Sequence, residues 1–311
     1  MSNKLYLECY SGISGDMTVA ALLDLGADQQ VLLEGLESLN LPGYQLKIGR
    51  VKKNGIDACD FDVILDEPEH HHDHDHEHDH DHDHEHHHDH EHEHHHDHEH
   101  EHHHDHDHEH DHEHDHEHDH DHDHEHDHDH DHEHHHHHDH VHRNIGDIFA
   151  IIDQSKISDR AKQTAKDIFR IIAAAESKAH GIAEDQVHFH EVGAVDSIVD
   201  IVSAAICLDN LDITEAVVSD LYEGCGYVHC QHGLMPVPVP AVVNIAADNA
   251  LRLRLTQTRG EMITPTGAAI VAYLSKGGKL PESFVIEKIG LGAGKKDFAT
   301  ANILRAFLIR D

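Results

Sequence analysis

Several features that mark other protein classes are missing from this sequence. No apolar run approaches the ~18 residues that a membrane-spanning helix needs, and the N-terminal Met1-Ser2-Asn3-Lys4 leads straight into a strand pattern without the apolar core of a signal peptide. Basic residues are scarce, with 22 Lys and Arg against 62 Asp and Glu, whereas a nucleic-acid-binding surface needs a basic stripe. We therefore expect a cytoplasmic protein that binds neither membranes nor nucleic acid.

Paired cysteines are missing as well. The five cysteines are an odd number and include no Cys-x-x-Cys motif, which argues against a disulfide framework and against a structural zinc site. The segment from Cys225 to Gly233 contains two of them, Cys225 and Cys230. We interpret it as a surface strand with reduced thiols.

One segment lacks apolar residues altogether. All 71 positions from 70 to 140, the His/acid tract, are His, Asp or Glu, with 42 His and 29 acidic residues. Because the tract has nothing to bury, it predicts a long disordered insertion. The other 240 residues contain 33 acidic and 22 basic residues. Their composition is that of an ordinary globular body, large enough for one large or two small domains.

The His/acid tract has the composition of a metal-binding segment. Neutral imidazole binds nickel, copper, zinc and ferrous iron, and neighbouring carboxylates offset the charge of the cation. Within the alternating pattern lie three triplets, His86-His87-His88, His94-His95-His96 and His102-His103-His104. This pattern predicts high-capacity binding at poorly defined sites, which suits storage or delivery. The alternatives are a pH sensor and a solvated spacer.

Periodicity in the remaining residues predicts an α/β body of mixed sheets with packed helices, interrupted by the disordered insertion. We expect an N-terminal α/β segment at 1–69, the insertion at 70–142 and the main α/β body at 143–311. The expected strands are Lys4–Tyr10, Tyr44–Val51, Ala58–Leu65, Arg252–Gln257, Phe284–Ile289 and Ala301–Ile309, with a hairpin turn at Asn54-Gly55. We expect a first helix that follows a glycine turn and ends at Leu25. The other expected helices are Asp28–Leu39, Asn144–Asp153, Asp159–Ala179, Asp196–Leu208 and Ala241–Asn249.

Two helix entries are candidates for binding a ligand. A glycine turn before the first helix could bind an anion at the helix N-terminus, but its glycine spacing is not that of a phosphate loop. Ser14 or Asp16 is therefore either a helix cap or part of a site. Thr264 and Thr266, at the entry to a later helix, could likewise cap it or hold an anion.

The segment from 188 to 200 is the strongest candidate for a metal site in the body. His188 and His190 share a face if they lie on a strand, and Asp196 and Asp200 share a face if they lie on a helix. Two imidazoles and two carboxylates could then converge on one metal ion. The alternative is that Asp196 caps a buried helix and that one His is a satisfied core residue. Four polar groups beside apolar neighbours are costly unless they are used.

A glycine-rich segment with adjacent lysines runs from Gly290 to Asp297. We expect it to be a turn that follows a strand ending at Ile289. Gly292 and Gly294 are candidates for contact with a nucleotide, although a lone Gly-x-Gly-x-Gly pattern is a weak indication.

Taken together, these motifs resemble the LarC family, the nickel insertion proteins of nickel-pincer cofactor biosynthesis. The joint occurrence of the stretches is more specific than any one of them, and an internal His-rich insertion is also similar to members of that family. The matching stretches are Ser11–Met17, His188–Asp200, His232–Pro240, Thr264–Ala269, and Gly292–Gly294 with Asn302–Arg305.

The resemblance implies that the protein binds Ni(II) and inserts it into pyridinium-3,5-bisthiocarboxylic acid mononucleotide, giving the cofactor of lactate racemase and related enzymes. In the family the reaction, of cyclometallase or lyase type, depends on CTP and a divalent metal, Mg or Mn. The pyridinium C–H must lose its proton as the nickel–carbon bond forms, so a base is needed near the metal. Our candidates are His190 and Glu191, with Asp16 as a further catalytic residue.

One departure from the family pattern carries expectations of its own. Family members commonly continue past the Asn-x-Leu-Arg strand into a C-terminal domain associated with CTP, whereas this chain stops at Asp311. We expect weak or absent CTP binding by this chain, a possible separately encoded C-terminal domain, a homo-oligomer, and an apo lactate racemase-like recipient. Three functions stay open: a nickel insertase, a non-catalytic nickel store or metallochaperone, and a pH-responsive protein.

Overall fold

The computed structural model of the protein describes residues 3–66, 143–187, 195–230 and 232–310. The expected disordered insertion and the residues His188, His190 and Glu191 lie outside these ranges. The described residues form mixed sheets with packed helices, as the periodicity predicts. In chain order the elements are β1 (Asn3–Glu8), α1 (Gly15–Leu25), α2 (Gln29–Glu37), β2 (Tyr44–Lys53), β3 (Ile56–Leu65), α3 (Ile145–Gln154), α4 (Asp159–His180), a 3-10 turn (Glu184–Gln186), α5 (Val195–Asn210), β4 (Ile213–Val218), β5 (Leu221–Cys225), β6 (Tyr227–Cys230), β7 (Gly233–Pro236), α6 (Pro240–Asp248), β8 (Leu253–Arg259), α7 (Pro265–Leu274), a second 3-10 turn (Ser275–Gly277), β9 (Val285–Ala293) and β10 (Ile303–Arg310).

Several helices begin where the sequence supplies a cap. The side chains of Asp28, Asn144 and Ser158 accept backbone N–H groups at the start of α2, α3 and α4. Each cap satisfies donors that the first turn of a helix leaves free. Pro240 and Pro265 occupy the first positions of α6 and α7, where the missing N–H of proline costs nothing.

A six-stranded mixed sheet in the order β2-β3-β9-β10-β1-β4 forms the centre of the fold. β1 lies between β10, which is antiparallel to it, and β4, which is parallel. β2 and β3 form the expected hairpin, with Asn54 and Gly55 in the left-handed backbone region at φ 50° and 83°. β3 meets β9 through a single parallel pair, Cys59 with Gly292.

Helix α1 packs directly on this sheet, and two strand glycines make the close approach possible. A Cβ at Gly292 would lie 2.0 Å from the Met17 carbonyl oxygen, and a Cβ at Gly290 would lie 2.2 Å from that of Ala21. The expected end of the strand at Ile289 was wrong, because β9 continues through both glycines to Ala293. These glycines therefore belong to the strand that lies under α1, since only glycine leaves room for the helix backbone.

The main core lies between the sheet and the helices. Helix α5 contributes ten buried residues to it, among them Ile198, Val199, Ile201 and Val202, which are each 0% exposed. α5 contacts α1, α2 and α4, so that its first turn is held beside the start of α1. This packing places the N-terminal ends of α1 and α5 next to each other.

The remaining strands form two small sheets, parallel β5–β8 and antiparallel β6–β7. Cys225 and Cys230 lie half-buried on these strands, and all five cysteines are free thiols, as the sequence predicts. None of the helices in the described ranges is both long and apolar enough to cross a membrane.

Candidate functional site

The N-termini of α1, α5 and α7 border one cleft of about 340 Å³, the three-helix cleft. Its walls contain five carboxylates and one lysine, so that the side chains favour a cation over an anion. The lining residues are Ser14, Gly15, Asp16, Asp62, Val63, Asp196, Ser197, Asp200, Glu261, Thr264, Pro265, Thr266 and Lys295.

The entry of α1 is fitted closely against α5. A Cβ at Gly15 would lie 2.4 Å from Oδ2 of Asp200, so glycine is required where the two helices meet. Ser14 occupies the N-cap position, yet its hydroxyl donates to the Asp16 carboxylate and not to the helix. The Ser14 side chain therefore does not cap α1, and Asp16 lines the cleft.

Two carboxylates on the first turns of α5 have buried oxygen atoms that lack a partner. Oδ1 of Asp196 and Oδ1 of Asp200 are both buried, and neither has a hydrogen-bond partner among the described residues. A buried polar atom without a partner costs roughly 1–3 kcal/mol, and more when it is charged. Such atoms are expected where a ligand completes the site.

Electrostatics points to the same need for a cation. Burial raises the pKa of Asp16 and of Asp196, although the Ser14 hydroxyl partly opposes this at Asp16. Burial raises the pKa of Asp200 well above its usual value, and the charges of Asp16 and Asp196 raise it further. The carboxylates thus repel one another in a poorly solvated place. A bound cation would relieve this repulsion.

Lys295 is the basic residue that lines the cleft, and it follows β9. Its Nζ lies 2.7 Å from Asp60 and 3.2 Å from Asp62. Burial alone would lower the pKa of Lys295. Hydrogen bonds to Asp60 and Asp62, together with the negative charges of these two residues, outweigh burial, so the pKa of Lys295 is raised overall. Its charge in turn lowers the pKa of Asp16 and of Asp200.

The entry of α7 is docked on the loop that leads into α1. The Ile13 N–H donates to the Met262 carbonyl at 2.9 Å, and the Thr264 N–H donates to the Ile13 carbonyl at 3.1 Å. Oγ1 of Thr264 accepts the N–H of Gly267 and so caps α7. The capping alternative for Thr264 is therefore observed, while Thr264 and Thr266 both also line the cleft.

A smaller cavity of about 170 Å³ shares the Ser14, Asp16 and Lys295 side of the cleft. Lys296 lies there, 3.2 Å from the Glu261 carboxylate. Gly294 also lines this cavity, and its position leaves room for the side chain of Asn302.

A larger cavity of about 680 Å³ lies elsewhere, between α2, α4 and α5. Of its carboxylates, Asp209 accepts a hydrogen bond from Ser158 and lies 3.5 Å from Arg160. Unlike Asp196 and Asp200, Asp209 therefore already has its partners.

The structure brings together Asp16, Asp196, Asp200, Thr264 and Thr266 in one cleft. It places the other predicted residues differently: Gly294 lines the neighbouring cavity, and Gly292 lies under α1. The nucleotide contacts proposed for these glycines stay predictions, as do the roles of the predicted ligands.

Other predicted residues lie outside the described ranges. These are His188, His190, Glu191 and the His/acid tract. In the part of the chain that the structure describes, no group of three or more His, Cys, Asp and Glu side chains is arranged to hold a metal ion. Asp16, Asp196 and Asp200 do not form such a group by themselves, so a metal site here would need further donors from outside the described ranges.

Sequence reasoning missed Asp62, Glu261 and Lys295 as residues of the cleft. The alternation of Asp60 and Asp62 along β3 was an available signal, because residues two apart share a face of a strand. Both carboxylates contact Lys295. This contact joins residues more than 230 positions apart, which local pattern does not reveal.

Comparison with known proteins agrees with the motifs. The family model described as "Nickel insertion protein" matches residues 5–311. The chain is 55% identical over 311 residues to the pyridinium-3,5-bisthiocarboxylic acid mononucleotide nickel insertion protein of Alkaliphilus metalliredigens, covering 100% of this chain and 61% of that protein. Proteins of the same name from Clostridium acetobutylicum and Acetivibrio thermocellus are 41% and 35% identical, each over 98% of this chain and over 63% and 60% of their own lengths.

The chain spans about three fifths of the length of these curated relatives. No solved structure matches it. Because the family model covers nearly every residue, the chain belongs to the family of nickel insertion proteins.

Proposed function

We propose that this chain binds Ni(II) and takes part in its insertion into pyridinium-3,5-bisthiocarboxylic acid mononucleotide. Two things support the proposal: the names of its relatives and the chemistry of the three-helix cleft. The observation that carries most weight is the pair of buried carboxylate oxygens, on Asp196 and Asp200, for which the described residues supply no partner. A protein bears that cost where a cation is to be bound.

In this proposal the nickel ion is a substrate of the cleft. Asp196 and Asp200 supply oxygen donors, and His188 and His190 supply the imidazoles that nickel prefers over oxygen. The carboxylates alone would equally suit Mg or Mn. A resident divalent ion would supply charge neutralisation at the same oxygens.

The chemistry at the substrate needs a proton acceptor. As the nickel–carbon bond forms, the C–H bond of the pyridinium ring breaks, its electron pair stays on carbon, and the proton passes to a base. The oxidation state of nickel does not change. Asp16 suits this role because burial raises its pKa and the Ser14 hydroxyl fixes its carboxylate. His190 and Glu191 are the alternatives from the sequence.

The anionic groups of the substrate need a counter-charge. Lys295 lines the cleft and the smaller cavity, and Lys296 lines the smaller cavity. We propose that they orient the phosphate and thiocarboxylate groups while the ring lies over the aspartates. Orientation of this kind lowers the entropy cost of the reaction.

CTP fits the described cleft poorly. Five carboxylates and one lysine line it. Because Lys295 and Lys296 are proposed to hold the anionic groups of the mononucleotide, the described lining offers no further lysine to a triphosphate. We propose that this chain alone binds CTP weakly or not at all. Equilibrium dialysis with labelled CTP tests this, and tight binding would overturn it.

The proposal is tested by a nickel insertion assay with purified chain, Ni(II) and the mononucleotide. The double variant Asp196→Asn with Asp200→Asn should lower the rate by about 100-fold or more, because loss of even an outer-shell partner of a metal site costs about 10–100-fold. Asp209→Asn, at the other end of α5, is the matched control and should react at the parental rate. Equal rates in all three would refute the role of the cleft.

The assignment of the base has its own test. Replacing His190 with Gln and Glu191 with Gln together should slow insertion if either is the base. A parental rate in that variant would leave Asp16 as the candidate. Asp16→Asn then has to abolish insertion.

The His/acid tract supports a second candidate function, a non-catalytic nickel store or metallochaperone. We propose instead that the tract raises the nickel concentration available to the cleft. The further expectations stay predictions: a cytoplasmic location, a homo-oligomer, and delivery of the product to an apo lactate racemase-like enzyme.

A further inference from the structure

Glu223, on β5, is a buried carboxylate that the proposed chemistry does not use. Its side chain is 0% exposed. Among the described residues no lysine, arginine or histidine forms an ion pair with it. A buried carboxylate without a cation is costly, so its presence calls for a physical reason.

The hydrogen bonds of Glu223 supply that reason. Its Oε1 accepts three backbone N–H groups, from Gly224 at 2.7 Å, Met262 at 2.8 Å and Ile263 at 3.3 Å. Its Oε2 is buried and has no partner in the described residues. All three hydrogen bonds of the carboxylate are therefore made by Oε1. Two of the three donors, Met262 and Ile263, belong to one segment that is distant in sequence.

That segment leads from β8 into α7, and it forms part of the wall of the three-helix cleft. Glu261 and Thr264, on either side of the two bonded N–H groups, both line the three-helix cleft. The same segment also receives the loop before α1, through the bonds between Ile13 and Met262 and between Thr264 and Ile13. A Cβ at Gly12 would lie 2.0 Å from the Met262 carbonyl oxygen, so this docking is close.

We propose that Glu223 is a positioning residue for the cleft. It fixes the 261–264 segment and, through that segment, the entries of α1 and α7 against which the substrate lies. The proposal rests on the function proposed above, because the segment lines the three-helix cleft in which the mononucleotide is proposed to bind. A carboxylate suits the task because its hydrogen bonds to N–H groups are roughly twice as strong as those of a neutral acceptor.

The test compares Glu223→Ala with Glu223→Gln, which keeps an acceptor oxygen in the position of Oε1. Thr164→Val is the matched control, because Thr164 is also buried and loses one hydrogen bond, 3.0 Å to the Tyr273 hydroxyl. The measurements are amide hydrogen exchange at Met262 and Ile263, mononucleotide affinity by titration, and the midpoint of thermal unfolding.

For Glu223→Ala we expect exchange at these two amides to rise by about tenfold or more and mononucleotide affinity to fall by about tenfold, because both N–H groups lose their charged acceptor. Glu223→Gln keeps an acceptor oxygen without the charge, so both changes should be smaller than in Glu223→Ala. Thr164→Val should lower the midpoint of thermal unfolding without changing amide exchange at Met262 and Ile263 or the affinity for the mononucleotide. If Glu223→Ala does not fold, Glu223→Asp replaces it, since its shorter side chain withdraws the oxygen.

The outcomes separate the two proposals. If the parent chain does not bind the mononucleotide, the proposed function fails, while the exchange measurement still tests the anchoring by Glu223. If the parent binds it, and Glu223→Ala binds equally well with unchanged exchange at Met262 and Ile263, the positioning role is overturned. Identical losses in Glu223→Gln and Glu223→Ala would also overturn it, because the acceptor oxygen would then be irrelevant.

Discussion

At the scale of single residues, Asp200 lowers the stability of the metal-free folded state and offers a carboxylate to a cation. Its carboxylate is surrounded by the charges of Asp16 and Asp196 and has a buried oxygen without a partner in the described chain. None of this favours folding in the absence of a cation. A bound metal ion would offset this destabilisation, because its binding free energy adds to the free energy of folding.

This leads to a prediction for stability against pH. The folded-state pKa of Asp200 lies well above its unfolded value of 3.8, so the folded state binds the proton more tightly. The contribution of Asp200 to stability is then fully present below pH ~3.8 and is lost as pH rises towards the folded pKa, by about 1.4 kcal/mol for each pH unit between the two values. Urea unfolding of the metal-free chain from pH 4 to 8 should show this slope.

Asp200→Asn should flatten that slope and raise stability at neutral pH. Asp209→Asn should leave the slope unchanged, because Asp209 is paired with Arg160 at the surface. A parent chain and an Asp200→Asn variant with the same pH dependence would contradict the electrostatic description of the cleft.

Lys295 provides a second prediction at this scale. Its charge lowers the pKa of Asp16 and of Asp200, and metal binding needs these groups deprotonated. In Lys295→Met both pKa values should rise, so the acid limb of the pH profile for nickel insertion should move to higher pH. Lys166→Met, which removes a lysine paired with Asp153, is the control, and a parental acid limb in Lys295→Met would exclude this coupling.

At the scale of secondary-structure elements, the close packing of α1 on β9 depends on strand glycines. Gly292→Ala would place a Cβ 2.0 Å from the Met17 carbonyl oxygen. We expect it to lower the unfolding free energy by about 1–3 kcal/mol, the usual cost of overpacking. Gly49→Ala in β2 meets nothing within 4 Å and should be neutral or slightly stabilising, and chemical denaturation compares the two variants.

Local chemistry was sufficient to predict most of these elements. The Asn54-Gly55 hairpin and the helices that begin near Asp28, Asn144, Asp159 and Asp196 all follow from residues near one another in the chain, and the structure has them. The end of β9 was missed because glycine in a strand resembles a turn until the helix above it is known. Sheet order was not predictable, because β1 and β10 pair across almost the full chain length.

The site was predictable to the extent that it is local. Asp196 and Asp200 are one helical turn apart, and their shared face follows from the helix period. Their meeting with Asp16 and Lys295 is a tertiary fact. Glu223 gave no sequence signal, since two of its three donors, Met262 and Ile263, become its neighbours only when the 261–264 segment docks on β5.

At the scale of the whole molecule, the His/acid tract and the body have separable roles in this account. Replacing residues 70–140 with a short Gly/Ser linker should leave the cooperative unfolding of the body unchanged, because the tract offers no apolar side chain for its core. Insertion should stay near the parental rate with abundant nickel and fall when nickel is limiting. A complete loss of insertion at abundant nickel, with the body folded, would favour the storage function.

The central claim is that the cleft between α1, α5 and α7 receives nickel. Anomalous diffraction at the nickel absorption edge, on crystals grown with Ni(II) and the mononucleotide, tests it most directly. We predict a nickel peak within bonding distance of Asp196 and Asp200, about 2.0–2.2 Å from a carboxylate oxygen by analogy with zinc, and its loss in the double Asn variant. Ordered nickel found only elsewhere, with Asp196 and Asp200 free of metal, would contradict the account.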